Sequence, residues 1–362
     1  MARADDPKPP ALPDASALSI GESLDCLADW LGTLHSSGFF NGTVLIAKDG
    51  DVRFQRHYGY TDLAKQVPLS AQSSFSLASV SKPFTALGVL LLARQGKLKL
   101  DDRLAQYVPE VASYDRITIR HLLHHTSGIP DHIELADREW PENLLFTMPD
   151  MIRLFAKHPP RAYFAPGDMF EYSNTGYAFL GEIIARVSRS SYPAFMAETI
   201  FKPLGMKNTA AYNLALKDFP LPERVYGMRR QAGRVEKSDL NMFDGIFGDG
   251  GIYASAEDLI RWDAALRAGT LLPCEEYEQA YVPGRLNNGK ATEYGFGWEL
   301  APANVVEHWG EWEGVAAHMR RDLRQNALLV ALSNLGPARA VDPIFTDLAV
   351  FVGRIAWSDG LS

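Results

Sequence analysis

Residues 83–94, Pro-Phe-Thr-Ala-Leu-Gly-Val-Leu-Leu-Leu-Ala-Arg, read as a long helix buried on every side. Such a helix has no polar face to give to water, so other elements must enclose it. It opens on a proline, which a first helical turn tolerates. Immediately before it stands Ser79-Val80-Ser81-Lys82. Ser79 therefore falls at the helix entry, where unpaired N–H groups and the positive dipole end favour a developing oxyanion. Lys82, three residues on, lies on the same face one turn away. Its amine reaches the serine oxygen in a useful state only if burial or a nearby cation lowers its pKa. Alone, Ser-x-x-Lys is weak evidence, because a capped helix with a solvated lysine is the ordinary reading.

The flanking sequence predicts an α/β chain. Leu24–Leu34 is an amphipathic helix candidate. Thr43–Lys48 and Val52–Tyr58 are strands joined by Asp49-Gly50, a strong hairpin signal. From about residue 100 to 245 the pattern turns helical, with candidates at Ile119–His125, Pro149–Lys157, Thr175–Val187 and Tyr192–Phe201. Ser255 and Asp258 suggest a capping box for a helix through Leu266. Strands return at Gly295–Leu300, Val305–His308, Gly314–Arg320 and Ala327–Ser333, and Val341–Ala356 closes as a helix. The expected architecture is an antiparallel sheet flanked by helices with an inserted, mainly helical domain. Its parts are a Pro-rich flexible lead-in (1–22), a sheet domain (23–99 and 246–362) and the insertion (100–245).

Bulk properties exclude several function classes. Formal net charge is −8 with acids and bases interspersed, which argues against nucleic acid and anionic membrane surfaces as partners. No apolar run reaches the roughly 18 residues a membrane-spanning helix needs. Cys26 and Cys274 have no metal-ligand spacing and read as thiols without a catalytic part; sequence does not decide whether they pair. His121 and His125 are spaced as in zinc-binding helices, but the acidic residue of His-Glu-x-x-His is missing, so packing is the expected role and no metal or other cofactor is implied. The first residues lack the apolar core of a signal peptide. Location is therefore open: periplasmic or secreted if such a peptide was removed, cytoplasmic otherwise. The oligomeric state is not set by the sequence.

Further segments stand in a telling order: Phe75-Ser-Leu-Ala-Ser79, His121-Leu-Leu-His-His-Thr-Ser-Gly128, Phe170-Glu-Tyr-Ser-Asn-Thr-Gly-Tyr177, Pro203-Leu-Gly-Met206, Gly250–Leu259 and Glu307–Gly314. With these the chain resembles the serine β-lactamase and penicillin-binding-protein superfamily, over roughly residues 24 to 355. The likeness is strongest to its class C-related branch of esterases, DD-peptidases and D-amino-acid amidases, a family often exported.

The resemblance implies Ser79 as nucleophile, with Lys82 and Tyr172 as the acid–base pair. A phenol holds its proton to a pH near 10, so Tyr172 acts as a base only where cations favour its phenolate. Asn174 is expected to bond Lys82 and a substrate amide, a helix N-cap being its ordinary alternative. His308-Trp309-Gly310 stands where the family has Lys-Thr-Gly or His-Thr-Gly. His308 would supply a partial positive charge. Trp309 replaces a small hydroxyl with a large apolar face. It is expected to line the pocket and disfavour carboxylates, core packing being the alternative. The backbone N–H of Glu311 would join that of Ser79 in an oxyanion hole, and its carboxylate, if turned inward, would repel anions. Asp249-Gly250-Gly251 reads as a turn, a direct contact from Asp249 being the alternative; in the family this stretch brings the chain back into the sheet beside the site.

The implied reaction is acyl transfer through an acyl-enzyme on Ser79, acting on a small-molecule ester or amide. Losing Lys-Thr-Gly removes features suited to a β-lactam carboxylate. Ester or small-amide hydrolysis is therefore the leading expectation. The alternatives are a D-amino-acid peptidase, amidase or DD-peptidase, a weak β-lactamase, and a non-catalytic binding or regulatory protein.

Overall fold

The computed structural model describes residues 9–355 except 15–17, 63, 65, 158, 217–220, 222, 232, 233 and 337. The central sheet draws its strands from both ends of the chain: β1 (Gly42–Lys48), β2 (Asp51–Tyr58), β3 (Glu299–Ala301), β4 (Val305–Trp312), β5 (Val315–Asp322) and β6 (Ala327–Ser333). Their spatial order is β2-β1-β6-β5-β4-β3, with every pair antiparallel. Asp49 and Gly50 both take positive φ (53° and 88°), as a tight hairpin turn whose twist matches the strands requires.

Strand alternation splits the core in two. On one face of β1 and β6, Leu45, Ala47, Leu328, Val330 and Leu332 join the larger core. On the other, Val44, Ile46, Leu329 and Ala331 meet helices α1 (Ile20–Ser36) and α5 (Ala338–Arg354). The larger core runs on into the helical segment, through Phe155 and Phe179, so one apolar body joins sheet and helices. Its axis is α2 (Lys82–Arg94), buried from Lys82 through Leu92. Phe84 stacks on Trp262 of α4 (Ala256–Ala268) at 3.7 Å, and α2 also packs against α3 (Asn174–Ser188).

Several expected boundaries shift for identifiable reasons. Ser19 and Glu22 form a reciprocal capping box that starts α1 at Ile20, inside the stretch expected to be a flexible lead-in. Part of that lead-in also packs: Trp30 Nε1 donates to the Pro10 carbonyl at 3.0 Å and Leu12 packs on the second core. At α4, Ser255 accepts from the Asp258 N–H as expected, but the Asp258 carboxylate serves Asn208 N and Thr209 Oγ1 instead of closing the box. The helix expected over Tyr192–Phe201 is α-helical only to Met196 and ends in a π-turn. The expected closing residue of α5, Ala356, lies outside the described residues.

Candidate active site

Ser79 lies in a 3₁₀ turn, Ala78–Ser81, that leads into α2. Three residues per turn place side chains i and i+3 in line, so Lys82 stands directly over Ser79. The turn is tied to strand Ile252–Ala254 by Leu77 N to Ile252 O (2.8 Å) and by Ile252 N to Ser81 Oγ (3.1 Å). Ala78, just before the serine, has φ +45°, a costly conformation for a residue with a Cβ. Sequence patterns carry no sign of it. Gly310 of β4 explains how the strand comes so close: a Cβ there would lie 2.3 Å from Leu77 O and 3.2 Å from Ser79 N.

Lys82 is fully buried. Its Nζ has three oxygen neighbours: Ser79 Oγ at 3.0 Å, Asn174 Oδ1 at 2.9 Å and the Asp249 carbonyl at 3.0 Å. Burial lowers its pKa to about 8, against the opposing pull of Asp249 and Asp131. The hydrogen inventory then matters. The Asn174 and Asp249 oxygens can only accept. A neutral amine gives its two hydrogens to them and turns its lone pair on the Ser79 hydroxyl. That is a general base already aimed at its proton.

The Tyr172 hydroxyl interacts with that of Ser79, and the Lys82 ammonium nitrogen lies 4.7 Å from the ring centroid. The ring is over a third exposed, so burial bears on its hydroxyl end. There burial pushes the phenol above its ordinary value, only partly countered by Ser79; Asp249, Glu299 and Asp131 push it further up. Tyr172 therefore holds its proton at neutral pH, contrary to a phenolate favoured by cations. His125 sets its position. It stacks on the Tyr172 ring at 4.3 Å and accepts from Ser173 N through Nδ1 at 3.1 Å. Burial, then the charge of Lys82, keeps His125 neutral. His121 instead accepts from Thr118 N at its helix start. Asn174 opens α3, but the carboxylate that accepts its N–H is that of Asp131, at 2.8 Å.

β4 supplies the facing wall, and two expectations there need correction. His308 is no cation: burial and Lys82 bring its pKa down to about 3. Its Nδ1 faces the Trp309 carbonyl at 2.6 Å and its Nε2 the Tyr294 hydroxyl at 2.8 Å. Nδ1 therefore carries the hydrogen and Nε2 accepts from Tyr294. Trp309 borders the cavity, but its indole belongs to the second core, stacked on His318 at 3.8 Å and packed near Phe345 of α5. Alternation along β4 turns the ring to that face while His308 and Gly310 take the other. Glu311 is exposed and borders the cavity, and its charge adds to burial in raising the Asp342 carboxyl.

The cavity above Ser79 has a volume of about 510 Å³. Ser79, Tyr172, Asn174 and Asp249 line one side, and His308 and Trp312 another. Asp249 was expected to form a turn; its carbonyl is in fact a Lys82 acceptor and its carboxylate lies 3.9 Å from His132 Nε2. The Gly248-Asp-Gly-Gly251 cluster, with φ of +109° at Gly248 and +83° at Gly251, was the available signal.

Comparison with known proteins gives the family. The β-lactamase family model matches residues 32–350. The chain belongs to the serine β-lactamase and penicillin-binding-protein superfamily. It is 36% identical over 324 residues to penicillin-binding protein 4* of Bacillus subtilis, covering 86% of this chain and 71% of that one. It is 29% identical to putative penicillin-binding protein PbpX of the same organism, over 74% of this chain and 64% of that one. Among solved structures, a penicillin-binding protein from Bacillus halodurans aligns with TM-score 0.74 at 26% identity, over 88% of this chain and 98% of that one. The superfamily is one of hydrolases. Among the described residues, no helix is long and apolar enough to cross a membrane.

Proposed function

We propose that this chain is a serine hydrolase that forms an acyl-enzyme on Ser79, with carboxylic esters or small amides as substrates. The observation that carries the reading is the Lys82 amine: it is buried, has its pKa lowered to about 8 and touches Ser79 Oγ and two obligate acceptors. Neutral Lys82 takes the Ser79 proton as Oγ attacks the carbonyl. The N–H groups of Ser79 and Glu311 receive the oxyanion. Tyr172, protonated, passes its proton to the leaving group, which leaves a phenolate near the Lys82 ammonium. Water then enters by the same route reversed and hydrolyses the ester.

The substrate class follows from what β4 lacks. A neutral His308 gives a substrate carboxylate no ionic partner, and the Trp309 position offers no hydroxyl. β-Lactams and peptides ending in a free carboxylate are therefore poor substrates. The test is a panel of short-chain nitrophenyl esters, D-amino-acid amides and nitrocefin, run beside labelling by a fluorophosphonate. Ester turnover together with an adduct on Ser79 that Ser79→Ala lacks is the expected result. An unlabelled protein, or nitrocefin preferred over every ester, would remove the proposal.

A further inference from the structure

Beyond the nucleophile, the cavity carries a wall that the acyl-transfer chemistry does not use. Trp312, the last residue of β4, donates its indole N–H to Asp244 Oδ2 at 3.0 Å. The same oxygen accepts from Asn241 N at 2.7 Å. The Asn241 side chain in turn donates to Glu313 Oε1 at 2.5 Å, and Ser238 Oγ donates to Glu313 Oε2 at 2.9 Å. One asparagine thus fixes two carboxylates side by side. Glu313 is held there at φ +39°, a backbone region that favours glycine. Phe243 meets Trp312 edge to face, with centroids 6.3 Å apart. All four side chains, Asp244, Glu313, Phe243 and Trp312, line the cavity that holds Ser79.

Among the described residues that line the cavity, none forms an ion pair with Asp244 or Glu313; His132, which also lines it, lies 3.9 Å from Asp249 instead. Asp249, Glu299 and Glu311 also line it, whereas no lysine or arginine does among the described residues. His308 is neutral. Lys82 beneath Ser79 is committed to its three oxygen neighbours. The Arg224 guanidinium lies over the rings of Tyr212, Tyr226 and Tyr253 and is paired with Asp239. Burial, then the charges of Asp239 and Glu313, raises the Asp244 carboxyl to about 7, even though Asn241 and Trp312 both hydrogen-bond it. Like charges held together beside a nucleophile, with aromatic faces at their edge, match the chemistry that binds ammonium groups.

We propose that the cavity selects substrates bearing an ammonium group, which Asp244 and Glu313 hold against Trp312 and Phe243 while the acyl carbon meets Ser79. The proposal rests on the hydrolase reading above and names its substrate class. Three thioesters test it: acetylthiocholine, its neutral isostere S-(3,3-dimethylbutyl) thioacetate and anionic S-acetyl-3-mercaptopropionate, with release of thiol as readout. Expected kcat/KM falls in that order, by about tenfold from cation to neutral compound at low salt, and the gap narrows as salt rises. In Asp244→Asn/Glu313→Gln the cation-to-neutral ratio moves toward one. Binding of the same three compounds to Ser79→Ala, followed by calorimetry, reads the preference without turnover. Equal values for cation and neutral compound, or preference for the anion, would overturn the proposal and leave the hydrolase reading standing. Charge-ordered binding to Ser79→Ala with no turnover of any thioester by the native protein would support the acidic wall and refute thioester hydrolysis at Ser79.

Discussion

Replacing Gly310 by alanine should separate catalysis from substrate binding. The added methyl would sit 2.3 Å from Leu77 O, 3.2 Å from Ser79 N and 3.3 Å from Ala78 Cβ. An ordinary carbon–oxygen contact is about 3.2 Å or more, so strand β4 and the Ser79 turn must part by nearly 1 Å. Neither side yields easily, since the atom met is backbone and the turn is pinned to Ile252 on both sides of Ser79. Overpacking of this kind costs about 1–3 kcal/mol of stability. A misplacement near 1 Å costs about 10²-fold in rate. The proposed oxyanion donors lie on the two separating segments, so the loss should fall on kcat, with KM for a neutral nitrophenyl ester within a few-fold of native. Steady-state kinetics beside a denaturant titration read both effects. A folded Gly310→Ala protein with native kcat would refute the argument that the close approach of β4 to Ser79 matters to the reaction.

Two further changes address the proton path and the acidic wall. Tyr172→Phe should lower the acylation rate by about 10²–10⁴-fold with little change in ligand affinity, and an unchanged single-turnover rate would leave Lys82 as the sole proton carrier. Asp244→Asn should make the protein more stable at pH 8, by an amount of the order of 1–3 kcal/mol. The sign follows from a folded carboxyl raised from 3.8 to about 7: its contribution is full below pH 4 and is lost as pH climbs through 7. Urea unfolding at pH 5 and pH 8 checks it, and a variant less stable than native at pH 8 would count against the strained-carboxyl account.

The residues proposed to carry the chemistry were legible because they obey local rules. Ser79 and Lys82 follow from spacing on a helix entry, and the Asp49-Gly50 hairpin follows from turn chemistry alone. The strand β6 was bounded correctly at Ala327–Ser333 because its apolar run stops at polar residues on both sides. What sequence could not supply was direction. The alternation that turns Trp309 onto His318 and away from Ser79 depends on β4 running through Trp312, four residues beyond its expected end. The charge state of His308 depends on Tyr294 and on burial, neither visible in a tripeptide. The acidic wall joins residues 241, 244, 312 and 313, which only the fold brings together.

In the proposed reaction Ser79 is activated by a neutral Lys82. The rate at which a fluorophosphonate modifies Ser79, measured from pH 6 to 10, tests this directly. With the amine titrating near 8, about one molecule in ten is competent at pH 7 and about nine in ten at pH 9, so the rate should climb roughly tenfold across that interval and then level. In Lys82→Met that limb should vanish along with most of the rate. A native rate that is flat over the same range, or that persists in Lys82→Met, would contradict the account.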